Sequence, residues 1–182
     1  MTTILAALAF TGFLVQASPA NPQAAALSDF QKRLQAYLAL REDLGKKLQP
    51  MKTTPSAADL QARQQALAAG LRNARKTAKP GDLVPVPVQE QIRETVKADF
   101  KRRSPEAKKA AFEEVPTGPV PGINKNYPDR AALPTVPPLL LASLPKLPDN
   151  LQYRFFGRHL VILDGDVEIV VDYIQDAVPL LK

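Results

Sequence analysis

The chain has 182 residues, 45% of them apolar, with 8 Gly, 18 Pro, no Trp and no Cys. That length suits one core plus a linker, and the lack of cysteine excludes a disulfide framework, thiolate catalysis and any Cys-ligated metal site. The net charge of +6 is unevenly placed: Leu27 to Glu114 holds 18 basic against 11 acidic residues, and Val115 to Lys182 holds 6 against 7.

Met1 to Ala20 carries no charged side chain, and Ile4 to Val15 is a nearly unbroken apolar run. The run suits the h-region of a cleavable export signal and is short for a membrane span. Small residues allow a cut after Ala17 or Ala20, and Asn21-Pro22 ends the run. The n-region has no Lys or Arg, so a buried first helix is the competing reading. The expectation is a signal peptide over 1–20, an extracytoplasmic location, and no transmembrane span once the signal is removed.

Leu27, Phe30, Leu34, Leu38, Leu44 and Leu48 recur at helical spacing, with Tyr37 beside Leu38. A first helix is predicted from about Pro22 to Gln49, started by Asn21-Pro22 or by Ser28 with Gln31. Ser56 with Asp59 reads as a capping box for a second helix, whose stripe is Leu60, Leu67, Leu71, Ala74 and Ala78 and whose end is Lys79-Pro80-Gly81. The short connection between them predicts an antiparallel hairpin. Pro85 and Pro87 predict an extended connector over 82–88. Val88, Ile92, Val96 and Phe100 then mark one face of a third helix, supported by Glu94 to Lys97 and Asp99 to Arg103 charge pairs. Ser104-Pro105 starts a short fourth helix that turns Ala107, Ala110, Ala111 and Val115 to the core and ends at Pro116.

Between Val115 and Asn150 lie 9 of the 18 prolines. That density predicts an extended strap without regular elements, its leucines Leu139, Leu140, Leu141 and Leu144 lying against the helices. Gly157-Arg158 and Asp164-Gly165 read as two-residue hairpin loops. They pair Phe155 with Leu160, Tyr153 with Ile162, Ile162 with Val167 and Leu160 with Ile169. A three-stranded antiparallel meander results, with Tyr153, Phe155, Leu160, Ile162, Val167, Ile169 and Val171 on one face. The other face then holds Arg154, His159, Val161, Leu163, Glu168, Val170 and Asp172.

The run Leu147-Pro148, Tyr153-Arg154, Gly157-Arg158, Val161 to Asp164 and Ile169 to Ile174 resembles the C-terminal end of a group of small, exported, uncharacterised bacterial proteins. More distantly, it is similar to the short tail module of RcnB-type periplasmic proteins linked to nickel and cobalt homeostasis. The resemblance covers about 30 of the 182 residues. It implies an envelope location and carries over no catalytic residue.

Two constellations stand out. His159, the only histidine, falls beside Glu168 and Asp172 in this register, a candidate metal trio, although a stable transition-metal site ordinarily wants more imidazole or thiolate ligands. Asp164, Asp166 and Glu168 lack the spacing of a calcium loop, and a hairpin turn explains them. Two basic clusters, Arg63, Arg72, Arg75, Lys76 and Lys79, and Lys101, Arg102 and Arg103 with Lys108 and Lys109, are candidates for binding an anionic partner. Nucleic-acid readers interleave such charge with aromatic platforms; the second to fourth helices hold only Phe100 and Phe112, so nucleic acid is disfavoured.

The fold expected is α+β: signal peptide over 1–20, helical region over 21–115, proline-rich strap over 116–150 and β-meander module over 151–182. The function expected is that of a non-enzymatic exported envelope protein, periplasmic or secreted, that binds a partner protein or an anionic surface through its basic helices, without a cofactor. The alternatives are a periplasmic metal-responsive factor using His159, Glu168 and Asp172, and a hydrolase whose one free nucleophile would be Ser143.

Overall fold

In the computed structural model the described residues are 21–50, 53–113, 115–128 and 136–179. The expected signal segment therefore lies outside them, as do Met51 and Lys52 of the first connection. Asn21 caps the first helix, α1 (Pro22–Lys47), its side chain accepting from the Gln23 N–H. Of the two start signals in the sequence, the structure uses Asn21. The helix ends two residues before the expected Gln49. The second helix, α2 (Ala57–Ala74), starts from the Ser56–Asp59 capping box and ends four residues short of the expected Ala78. Arg63 donates to Gly45 O at 3.1 Å and Gln49 O at 2.7 Å, so α2 supplies donors to carbonyls in and just after the last turn of α1. These bonds close the helical hairpin.

The third helix, α3 (Val86–Arg102), starts inside the stretch expected to be extended, with Pro85 as its N-cap and Pro87 in its first turn. Proline is tolerated there because the first amides of a helix have no intrahelical partner to lose. Its expected apolar face is the buried one: Val88, Ile92, Val96 and Phe100 are all inaccessible. The fourth helix, α4 (Pro105–Ala110), is capped by Ser104, but it is shorter than expected, and Ala110 points to solvent while Val115 is buried. The proline-rich strap does contain a helix, α5 (Pro138–Ser143), begun by Pro137-Pro138. Leu140 and Leu144 pack inward, whereas Leu139 and Leu141 are 80% and 44% exposed.

The strands β1 (Leu151–Phe156), β2 (His159–Asp164) and β3 (Ile169–Ile174) form an antiparallel sheet in sequence order. The first hairpin has the predicted register, with Phe155 opposite Leu160 and Tyr153 opposite Ile162 around Gly157, whose φ is 52°. The second does not. Asp164 pairs with Ile169, so the turn is Gly165 to Glu168 rather than Asp164-Gly165, and Glu168 adopts a left-handed φ of 57°. Asp164 is drawn out of the turn because its carboxylate is anchored in the core, as described below. A bulge then follows: Leu163 pairs with Val170 and Ile162 with Asp172, leaving Val171 as the extra residue. A bulge turns two successive side chains to one face. Both Val171 and Asp172 therefore point to the helices, and Ile169, Val171 and Ile174 all join the main core. The apolar face is as expected; the pairing of the second hairpin and the place of Asp172, expected on the opposite face, are not.

Both faces of the sheet are covered. One packs on α1 to α3 and α5 through the main cluster, in which Phe100, Phe112 and Phe155 meet with ring centroids 5.3 to 6.2 Å apart. The other, with Phe156, Val161, Leu163 and Val170, is covered by Val120, Ile123 and Tyr127 of the strap. The strap also borders β3: Asn124 N–H donates to Val170 O at 2.8 Å and Val170 N–H to Lys125 O at 2.9 Å. That pairing occupies a sheet edge that would otherwise offer unpaired amides. Val170→Asp would place an unpaired charge under this cover, and the expected loss is about 3–5 kcal/mol. Urea unfolding of the two chains measures it; a change within about 0.5 kcal/mol would mean that the strap leaves this face open.

Candidate functional site

The first expected basic cluster is largely spent on the fold. Arg72 reaches Asn124 O at 3.1 Å and bonds the Asn126 side chain. Arg75 bonds Asn124 Oδ1 at 3.1 Å and Val171 O at 2.9 Å, and its guanidinium lies 5.1 Å from the centre of the Tyr37 ring. With Arg63 on the end of α1, these three arginines tie α2 to α1, the strap and β3. Lys76 and Lys79 remain exposed at the far end of α2. In the second cluster, Arg103 pairs with Asp99 and covers the Phe100 ring at 5.5 Å. Lys101 and Arg102 are exposed.

The expected metal trio is not assembled. Asp172 is fully buried, and its carboxylate accepts from the N–H groups of Gly81, Leu83 and Val84, each at 2.9 Å, and from Tyr173 N–H at 2.8 Å. The bulge moved it off the face that carries His159. His159 pairs with Phe156 at the other end of the sheet, its Nδ1 accepting from Asp176 N–H at 3.2 Å, while Glu168 is exposed in the second turn rather than opposite Val161. Among the described residues no three His, Cys, Asp or Glu side chains are grouped to hold a metal ion. Ser143 donates to Leu139 O at 3.0 Å within its own helix, and no hydrogen bond links it to His159.

Sequence reasoning missed the partners of the buried acids. Asp164 is inaccessible, and its Oδ2 accepts from Tyr37 Oη at 2.7 Å and from Arg41 Nε at 3.0 Å. Arg41 also pairs with Asp166 in the turn. Burial, reinforced by the Asp164 carboxylate, pushes the Tyr37 phenol far above its ordinary range. For Asp172 burial raises the carboxyl pKa, and the four amide donors pull against it. The signal available in the sequence was Tyr37 and Arg41 at i and i+4, one polar pair on the inner side of α1.

Among the cations the fold leaves free, the densest group in sequence lies at one corner, the junction of α3 and α4. Lys101, Arg102, Lys108 and Lys109 take part in no ion pair among the described residues. They flank an aromatic contact: Phe100 at the end of α3 and Phe112 after α4 pack with centroids 5.4 Å apart and rings tilted by 40°, and both rings meet Phe155. Lys76 and Lys79 are not part of this corner. They precede α3, whose 17 residues put about 24 Å between its ends.

No family model, curated protein or solved structure matches the chain. No helix among the described residues is long and apolar enough to cross a membrane.

Two predictions follow from the buried polar groups. Asp172→Asn puts an amide NH2 against backbone donors in either orientation, so at least one buried donor loses its acceptor. The expected loss is about 2–3 kcal/mol, read as a lower urea midpoint; an unchanged midpoint would mean the amides find other partners. The second concerns Tyr127, whose hydroxyl donates to Phe155 O at 2.7 Å and whose pKa burial pushes from 10.0 to about 12. A folded pKa above the unfolded one favours the protonated phenol, so this contribution is complete below pH 10 and disappears as the pH rises toward 12. Unfolding free energy measured across that window should fall with pH, and Tyr127→Phe should flatten the slope.

Proposed function

We propose that the protein is a non-enzymatic exported envelope protein that docks on an anionic surface through Lys101, Arg102, Lys108 and Lys109. The observation that carries this reading is how the fold divides its cations: arginines of both expected clusters turn inward to hydrogen bonds, and the four at the α3–α4 corner stay free on an aromatic-braced mount. Export is supported by the charge-free apolar stretch within the first twenty residues. Cations near an anionic membrane surface contribute about 1 kcal/mol each at moderate ionic strength, so four acting together suffice for reversible attachment.

The test is co-flotation of residues 21–182 with phosphatidylglycerol vesicles and, separately, sedimentation with anionic cell-wall polymer, phosphatidylcholine vesicles serving as control. Binding to an anionic surface is expected, falling steeply as salt shortens the Debye length. Reversing all four corner charges to Glu should weaken it by about a hundredfold or more, while Lys76→Glu with Lys79→Glu changes it little. Binding that persists unchanged in high salt, or that the two double-lysine and corner variants affect equally, overturns the assignment.

A further inference from the structure

The strap pairs with the outer edge of β3; the outer edge of β1 is different. The two-residue loop at Gly157-Arg158 makes Phe156 and His159 a hydrogen-bonded pair, and alternation along the ladder then turns the amides and carbonyls of Tyr153 and Phe155 away from β2. Two observed bonds mark the same outward side: Leu151 N–H donates to Pro148 O at 2.9 Å, and Phe155 O accepts from Tyr127 Oη at 2.7 Å. Between them, Tyr153 N–H, Tyr153 O and Phe155 N–H have no hydrogen-bond partner among the described residues.

A cleft of about 400 Å³ lies along this edge, with β1 from Leu151 to Arg154 as one wall and Leu141 of α5 with the 145–149 segment in the other. Tyr153 Oη donates to Pro145 O at 3.0 Å, which ties the two walls together. Arg154 is the unusual residue of the wall. It is half-buried, its Nε is inaccessible and has no partner, and its guanidinium donates to the Gln152 side chain. It takes part in no ion pair among the described residues. Burial lowers its pKa, and the Tyr127 phenol pulls the other way. Lys146 and Asp149 in the other wall are one cation and one acid, so the guanidinium is the charge left uncompensated. A cation drawn out of water without a carboxylate is costly, and the planar fork of arginine matches a carboxylate.

An unpaired strand edge is complementary to extended backbone, and the guanidinium beside it to an acid. We propose that this cleft takes an extended peptide of a partner protein, which adds to β1 as a further strand and sets an acidic side chain against Arg154. In an antiparallel addition one guest residue exchanges both bonds with Tyr153, and its neighbour opposite Arg154 stands in the closer kind of cross-strand pair. The guest residues on either side of the acid point to the other face, toward Val136 and Leu141, so apolar residues suit those places. A second copy of this chain is a poorer guest, because pairing β1 with itself around Tyr153 sets Arg154 against Gln152 and brings no acid to the guanidinium. The inference concerns a different part of the molecule from the α3–α4 corner and is independent of the surface reading.

The probe is the peptide acetyl-Val-Thr-Val-Glu-Val-Thr-amide, added to isotope-labelled protein and followed by NMR. The Tyr153 and Phe155 amides should shift together with the Arg154 Nε–H, and the same peptide with Gln in place of Glu should bind about tenfold more weakly. N-methylation of the valine that follows Glu removes its bond to Tyr153 O and should abolish the shifts. Arg154→Gln should bring the Glu and Gln peptides to equal affinity, and Arg154→Lys, which keeps the charge and loses the fork, should retain part of the preference. Leu141 is exposed, so Leu141→Ser should weaken both peptides alike with the circular dichroism unchanged. Equal affinity of the two peptides for the unaltered protein overturns the carboxylate assignment, and binding untouched by N-methylation overturns strand addition. Tyr153 shifts that follow protein concentration instead of peptide would give the edge to a second copy and sink the proposal. No shift at millimolar peptide, as expected if the chain's own residues 129–135 take the edge, does the same.

Discussion

The arrangement of this protein depends on one buried carboxylate, Asp172, and on the bulge that aims it. A carboxylate taken out of water is costly unless its lone pairs are met by donors. Here the backbone amides of Gly81, Leu83 and Val84 meet it, which fixes the path of the connector between α2 and α3. That path in turn sets where α3 begins and which of its faces lies on the sheet. Asp164 does the same for α1 through Tyr37 and Arg41. Two acids on one face of a small sheet thus bond partners that lie 88 to 127 residues earlier in the chain. Apolar contact alone would be less particular, since a Leu and Val surface accepts several helix angles of similar energy.

The same two acids explain where sequence reasoning succeeded and where it stopped. Local signals were legible: the Ser56–Asp59 box, the four-residue spacing of Val88, Ile92, Val96 and Phe100, and the Gly157-Arg158 turn each depend on residues close in sequence. The Asp164-Gly165 pair carried an equally good local turn signal, and it failed because Asp164 is held by Tyr37 and Arg41, contacts invisible to a local reading. The bulge moved Asp172 to the core and dispersed the expected trio with His159 and Glu168. Prolines misled for a different reason. Pro85, Pro87, Pro137 and Pro138 were weighed as breakers, but at the first positions of a helix their missing N–H costs nothing.

The candidate site was half legible. The positions of the basic residues were evident, yet the division of labour among them was not. Arg offers a planar fork of donors that can satisfy two carbonyls at once, whereas the Lys ammonium is strongly hydrated and favours water. Arg63, Arg72 and Arg75 accordingly bridge elements by bonds to main-chain oxygens. Lys76, Lys79 and Lys101 stay outside. Counting basic residues along the helices therefore overstates the donors that are free for a partner.

The corner at α3 and α4 is coupled to the stability of the whole. A six-residue helix such as α4 does not persist alone in water, because nucleating the first turn outweighs the few bonds that follow. It is held by the Ser104 cap and by Phe112, whose ring is shared between Phe100 of α3 and Phe155 of β1. The orientation of Lys108 and Lys109 is thus set by the sheet. β1 is positioned by β2, β2 by Asp164, and Asp164 by α1. α4 buries none of its own residues, so it has the least to lose in a local opening. The basic corner is therefore tied to the buried polar network only indirectly, through the aromatic contacts of Phe112 and the pairing of β1 with β2.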